Sequence, residues 1–324
     1  MSVITENAGG RGGGLGDGST VSRSVLVKPG MCGHNSLFVG NLGDWTWETV
    51  SELCDTNAFD ATNADGSPTY LSFYYFHIRA SPRMHVNGLT FGDRLEVGSR
   101  LFDFGSESIL TLHEVRPEGA RAGPIDPERF YRFADPDCIY VENYNRWITR
   151  SRPGSNEDLV KSSPVGFRHD HLPKLPDEYS PRRIYNHARN RLTFLDGLPG
   201  DRVPLAPRLT LDYPIEASRD LNGVGLLYFA TYFSIIDWAL LRLWRRLGRD
   251  TATFLDRVVL DHRLCYLGNA DADSVLRISV EAWEKRGGAG DEIVNVVIRE
   301  RDSGRTVAVS TLHVLSTGGA HDDA

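Results

Sequence analysis

Two stretches of the chain alternate apolar and polar side chains with a period of two, and each follows a segment whose apolar positions recur at helical spacing. In TYLSFYYFHIRA (69–80) the aromatic and β-branched content predicts a strand with Tyr70, Ser72, Tyr74, Phe76 and Ile78 on one face. DRLEVGSRLFDFG (93–105) and ESILTLHEVR (107–116) continue the alternation across short turns, as antiparallel strands do. Ahead of them, DWTWETVSELC (44–54) reads as a helix capped by Asp44, with Trp45, Val50 and Leu53 on an apolar stripe. Before it, TVSRSVLVKPG (20–30) reads as a strand that Pro29 and Gly30 end. A helix followed by an antiparallel sheet is an α+β unit.

The same order returns later. RLTLDYPIEA (208–217) reads as a strand and YFATYFSIIDWALLRLWRRL (228–247) as a long helix. Four strands follow: RVVLDHRLCYL, SVLRISVEAW, EIVNVVIRER and TVAVSTLHVL. GHNSLFVGNLGDWTWETV (33–50) and LNGVGLLYFATYFSIIDWAL (221–240) place Asn35 and Asn222 at the heads of two similar helix starts. DRLEV (93–97) further pairs with DSVLRI (273–278), and ILTLHEV (109–115) resembles VSTLHVL (309–315). A repeat this long is a tandem duplication, not a solenoid. Residues 117–207, between the copies, are proline-rich and read as irregular. The expected division is a glycine-rich tail (1–20), a first unit (21–165) and a second unit (166–324).

A length of 324 residues with 40% hydrophobic content supports two packed units. A net charge of −7 argues against nucleic acid as a partner. No run of about eighteen apolar residues predicts a membrane helix. The first twenty residues lack the pattern of a secretory signal, so the cytoplasm is the expected compartment. The four cysteines, Cys32, Cys54, Cys138 and Cys265, lie far apart and suit reduced, mostly buried thiols.

Strand, Asn-containing turn, central helix and meander together resemble the hotdog fold, so the whole chain resembles a double hotdog. KPGMCGHNSLFVGNLGDWTWETVSELC (28–54), PTYLSFYYFHIRAS (68–81), LTFGDRLEV (89–97) and FGSESILTLHEV (104–115) resemble the bifunctional acyltransferase/decarboxylase family of leinamycin biosynthesis and related polyketide clusters. The resemblance implies decarboxylation of methylmalonyl-CoA and delivery of a propionyl thioester to an acyl carrier protein, for β-alkylation of a polyketide. It implies a catalytic tyrosine, best matched in position by Tyr70 of SPTYLSF (67–73).

A phenol with a pKa of about 10 needs help to act as a nucleophile, but a phenyl ester, once formed, is an activated acyl donor. Acyl relay and mere positioning of the thioester both remain open for Tyr70. Asn41, Gly43 and Asp44 are expected at the first helix start, where backbone N–H groups can stabilise the enolate left by loss of CO2. Gly43 as the glycine of a tight turn is the competing reading. The thioester itself serves as electron sink, so no cofactor is expected. His34 and Asn35 can bond a substrate carboxylate or carbonyl, with Asn222, Tyr228, Thr231 and Tyr232 in the analogous places of the second copy. Because the copies differ there, one functional site per chain is expected.

His169 and His171 in RHDHLP (168–173) share a side of an extended segment but lack a third ligand, so no metal is expected. Arg182 and Arg183, with Arg189 and Arg191, can meet CoA phosphates or an acidic carrier, or form a solvated patch. A rival enzyme reading is a hotdog thioesterase or dehydratase using Asp44 or Asp237, with His34 for dehydration. A non-catalytic acyl-thioester-binding protein is the third. Exposed sheet edges lead us to expect a homodimer.

Overall fold

The computed structural model describes residues 18–33, 35–120 and 123–316, so His34 and most of the glycine-rich tail lie outside the described residues. The first unit comprises β1 (Thr20–Leu26), α1 (Asn35–Leu53), β2 (Ala61–Thr62), β3 (Pro68–Arg79), β4 (Arg94–Asp103), β5 (Ser108–Pro117), α2 (Pro127–Arg132), β6 (Ile139–Arg150) and β7 (Leu159–Lys161). α3 (Pro181–Arg191) and β8 (Arg202–Pro204) precede the second unit. That unit comprises β9 (Leu209–Pro214), α4 (Ala217–Asp220), α5 (Phe229–Arg246), β10 (Val258–Tyr266), β11 (Val275–Lys285), β12 (Gly288–Glu300) and β13 (Thr306–Leu315).

The long strands form one antiparallel sheet in the order β1-β4-β5-β6-β3-β10-β13-β12-β11, with β9 completing the far edge on β11. The order reads the same from either end once each strand is matched to its repeat. β6 is thus the counterpart of β13, and β5 of β12. The expected kinship of ILTLHEV with VSTLHVL is therefore wrong: it matched two strands that share an alternation pattern but hold different places in the sheet.

Three further expectations are corrected. α1 begins at Asn35, so Asp44 is inside the helix and does not cap it. Gly43, which resembled a turn glycine, is with Gly40 where α5 approaches α1. A Cβ added at Gly43 would lie 2.1 Å from Phe229 Cζ, and one at Gly40 would lie 3.4 Å from the Tyr228 hydroxyl. Second, residues 117–207 are not simply irregular. They contain α2, α3 and the central strand β6, whose IYVENYNRWITR hides its period behind buried Glu142, Asn143 and Asn145.

The third concerns β3. Its register against β6 shifts between Phe73 and Tyr75, which is a β-bulge. Leu71 and Phe73 face the helices before it, and Phe76 and Ile78 do so after it. The face proposed from strict alternation therefore breaks at Tyr74. Tyr75 turns instead to the other side of the sheet, where it packs with Tyr140, Tyr144 and Phe194 under α2 and α3.

One core spans both units. α1 and α5 pack against each other on the concave face, with Phe38, Leu42, Phe233 and Ile236 buried among strand residues from both repeats. Burying each such side chain contributes about 1.5–3 kcal/mol. α5 matches its expected span closely because its apolar stripe is unbroken from Phe229 to Trp244. Cys54, Cys138 and Cys265 are buried free thiols. No helix among the described residues is long and apolar enough to cross a membrane.

Where the repeats join, β3 pairs antiparallel with β10 from Arg79↔Asp261 to Tyr75↔Cys265. His77 crosses this seam, with Nε2 3.2 Å from Asp261 and Nδ1 3.7 Å from Glu142. Arg79 and Arg263 also reach Asp261, each at 3.0 Å. Burial disfavours the imidazolium, yet the Asp261 charge and the bonds to Asp261 and Glu142 outweigh it and raise the His77 pKa above 6.5. A raised native pKa stabilises fully below the unfolded value and fades as pH climbs through the native one. The difference in denaturant midpoint between wild type and His77→Gln should therefore be largest near pH 5 and shrink toward pH 9, whatever the buried neutral His113 and His262 add to the overall profile. A difference that does not change with pH would count against this account.

Candidate functional site

The seam does not run the full length of β3. Past Tyr75 the strand leaves β10 and keeps only β6, with β2 at its start. The resulting gap opens a cavity of about 450 Å³ whose walls come from both units. Residues 70–74 of β3 form one wall, with Asp44 and Trp47 of α1. The segment 222–229 leading into α5, together with residues 266–269 and Arg305, forms the other.

The floor is aromatic. Phe73 and Phe229 stack at 4.2 Å between ring centroids, and Trp47 meets Phe229 at 6.2 Å. Trp47 donates its indole N–H to the Leu71 carbonyl at 2.9 Å, and Tyr266 donates its hydroxyl to the Phe229 carbonyl at 3.2 Å. These bonds fix the rings that separate the cavity from the core.

The far wall is built from loops held by side chains. Asn222 Oδ1 accepts from the backbone of Val224 and Leu226, at 3.2 and 3.0 Å. Asn269 exchanges two 3.0 Å hydrogen bonds with the Leu227 backbone, and Arg305 donates to the Asn269 carbonyl at 2.7 Å. Glu157, from the first unit, lies 3.5 Å from Arg305 across the mouth.

Tyr70, Asp44 and Asn222 thus meet at one cavity, joined by Tyr228 and Tyr232. The Tyr70 hydroxyl makes no hydrogen bond among the described residues, and the Arg150 guanidinium lies 5.9 Å from its ring. Partial burial, then the charge of Glu48 one turn on, raises the Asp44 pKa. Burial and the Asp44 charge push Tyr228 up to about 12.

Other expected residues fall elsewhere. Asn41 donates to Leu37 of its own helix at 2.8 Å, and Gly43 is a mid-helix contact with Phe229 and cannot offer a free N–H. The helix start on the cavity wall belongs to α5, at Tyr228 and Phe229. Thr231 bonds the Asp220 carbonyl at 3.2 Å and pins that start from behind. Asn35 opens α1 as its first residue, whereas Asn222 lies in a turn seven residues before Phe229, so the two are not equivalent.

Asp237 is a buried partner of Arg257, at 2.6 Å, with the guanidinium over Phe254. It is structural and does not reach the cavity. His169 bonds Asp103 at 2.8 Å while His171 is exposed beyond a turn, so the two do not share a side. Arg182 lines a second cleft and Arg183 does not. Glu157, Asn269 and Arg305 escaped sequence reading because each lies in a loop with no motif; only their polarity beside strand ends marked them.

A family model, the LnmK N-terminal Hot Dog Fold domain, matches residues 22–196, which is more than half of the chain. The chain belongs to this family. Its architecture is a double hotdog, two helix-and-sheet units in tandem with their sheets merged. Solved structures with the same fold include an oleoyl thioesterase (putative) from Lactobacillus plantarum, at 10% identity, covering 92% of this chain and 96% of that one with a TM-score of 0.57. Another is an acyl-ACP thioesterase from Bacteroides thetaiotaomicron, at 11% identity, covering 91% and 97% with a TM-score of 0.52. A 12:0-ACP thioesterase from Umbellularia californica aligns over 91% and 93%, at 11% identity and a TM-score of 0.50. No curated protein sequence matches the chain.

The contact at Gly43 can be tested directly. Gly43→Ala should force the Phe229 ring off Phe73 and cost about 1–3 kcal/mol, as overpacking does. Urea unfolding should show the loss, and a variant as stable as wild type would mean that the helices have room to spare.

Proposed function

We propose that this protein is an acyltransferase/decarboxylase. It takes methylmalonyl-CoA, releases CO2 and passes the propionyl group to the phosphopantetheine thiol of an acyl carrier protein, for β-alkylation of a polyketide. The observation that carries this reading is the position of Tyr70, its hydroxyl unengaged, on the wall of the cavity between the two units. Family membership supports acyl-thioester chemistry, and the motif around Tyr70 supplies the specific reaction.

The chemistry needs no cofactor. The Tyr70 oxygen attacks the thioester carbonyl and CoA leaves as its thiol, giving a phenyl ester. Loss of CO2 leaves its electron pair on the acyl unit as an enolate, which one proton converts to propionyl. The carrier thiol then attacks the ester and regenerates the phenol. Two groups suit the developing negative charge on oxygen: the N–H end of α5 at Phe229, and the Asn222 amide, whose oxygen alone is used in the turn. The rings of Trp47, Phe73 and Phe229 exclude water from an anion that hydration would otherwise stabilise. His34 and Asn35 contribute no described side chain to this scheme.

A second reading, hydrolysis of the thioester, is favoured by one feature. The Asp44 carboxylate, its pKa raised, shares the cavity and can hold a water for attack. The protein is also proposed to act in the cytoplasm as a homodimer joined through exposed sheet edges, for which light scattering near 36.1 kDa would be the contrary result.

Tyr70→Phe should fold normally and lose nearly all propionyl transfer when incubated with methylmalonyl-CoA and carrier protein. A loss of only ~10²–10³-fold would reduce Tyr70 to orienting the thioester, on the scale of one lost oxyanion donor. Activity within twofold of wild type would overturn both roles. Asp44→Asn should leave transfer in place; if free acid is the wild-type product and this variant abolishes it, the hydrolytic reading prevails.

A further inference from the structure

On the opposite side of β3 from the aromatic floor lies a second cleft, of about 380 Å³, built around three arginines. Arg146 comes from β6, while Arg182 and Arg189 come from α3. Arg182, Tyr185 and Arg189 fall at i, i+3 and i+7, so α3 turns one face to the cleft. Arg146 lies over the Tyr74 ring at 4.7 Å, and both Arg146 and Arg182 donate to the Tyr144 hydroxyl at 3.3 Å.

No carboxylate pairs with any of these three guanidiniums among the described residues, although the chain carries a net charge of −7. Elsewhere Arg79, Arg116, Arg202, Arg249, Arg257 and Arg263 all have acidic partners. The Glu107 carboxylate, whose charge is felt at Tyr74, is itself paired with Lys161 at 3.0 Å. Burial alone would raise the Tyr144 phenol, but bonds from Ser108, Arg182 and Arg146 bring it below its usual value. Arg146 and Arg182 are held by phenols, rings and the Phe104 carbonyl, and with Arg189 beside them three cations without a carboxylate partner form a receptor for an external anion.

The cleft is not isolated from the reaction cavity. Tyr74, at the bulge of β3, and Leu267, just past the end of β10, line both. A ligand threaded between these two residues would carry its anionic end among the arginines and its reactive end beside Tyr70. Phosphopantetheine has this construction, with a phosphate and a thiol joined by a long uncharged arm. We propose that Arg146, Arg182 and Arg189 bind the phosphate end of the phosphopantetheine thioester. Its arm then passes between Tyr74 and Leu267 into the cavity. This inference rests on the acyl-thioester reading and adds to it the part of the substrate that is recognised. The phosphate is common to CoA and to the prosthetic arm of a carrier protein.

Arg182 and Arg189 project from an exposed helix face, so Arg182→Ala and Arg189→Ala should fold as wild type does. Calorimetry on the full chain would compare propionyl-CoA with propionyl-pantetheine, which lacks phosphate. Each variant should weaken propionyl-CoA by roughly 10- to 100-fold, the scale of one lost charge-assisted hydrogen bond, and leave propionyl-pantetheine unchanged. The salt dependence of propionyl-CoA binding should become shallower in step. In turnover, a rise in KM for both methylmalonyl-CoA and the carrier protein would assign the cleft to the shared phosphate, and a rise for methylmalonyl-CoA alone would assign it to CoA. Wild type binding both thioesters equally, or variants binding propionyl-CoA as wild type does, would overturn the cleft while leaving the acyl-thioester reading intact. Wild type binding neither would overturn both.

Discussion

The pairing of β3 with β10 carries the architecture. Five residue pairs, from Tyr75↔Cys265 to Arg79↔Asp261, turn two repeats into one continuous sheet. A seam of backbone hydrogen bonds between two edges removes both edges from solvent. It also brings His77, Glu142, Asp261 and Arg263 into one buried cluster, where each charge depends on the others. A cluster like this is expensive to break on one side only, because the remaining charge is left buried without a partner. The seam is short. It ends at Tyr75, next to the bulge at Tyr74, and the cavity occupies the gap that follows.

The helices meet the same constraint from the other face. α5 starts where the gap opens, so its first residues must press against α1, and only glycine leaves space there. Gly43 admits the Phe229 ring, which in turn stacks on Phe73 at the cavity floor. A position that looks like loop chemistry in the sequence therefore sets the depth of the site. The hydrogen bonds of Asn222 and Asn269 then hold the last turn before α5.

Much of this was legible in the chain. The duplication, the α+β order and the span of α5 follow from periodicity, because those segments bury one face and expose the other. The start of α1 was not legible, since Gly40, Asn41 and Gly43 look locally like a turn and are justified only by a partner helix far along the chain. β6 was hidden for a related reason. Asn143 donates to Thr46 at 2.8 Å and Glu142 accepts from Tyr131 at 2.9 Å, so two of the buried polar residues that spoil the alternation find tertiary partners, while the Asn145 side chain finds none among the described residues. At the site, Tyr70 was indicated by resemblance and Asp44 by its residue type. Arg305, Glu157 and Asn269 become significant only when folding brings three separate loops together.

The merged sheet also bears on how such a protein can change over time. In a symmetric pair of identical chains, every substitution appears twice, so a residue useful at one cavity must be tolerated at its mirror position. Here the two halves share a core and a seam yet are encoded separately. Tyr70 and Trp47 come from one half, and Asn222 and Arg305 from the other. Each wall is thus free to drift toward its own task, while the counterpart positions are released to serve packing alone.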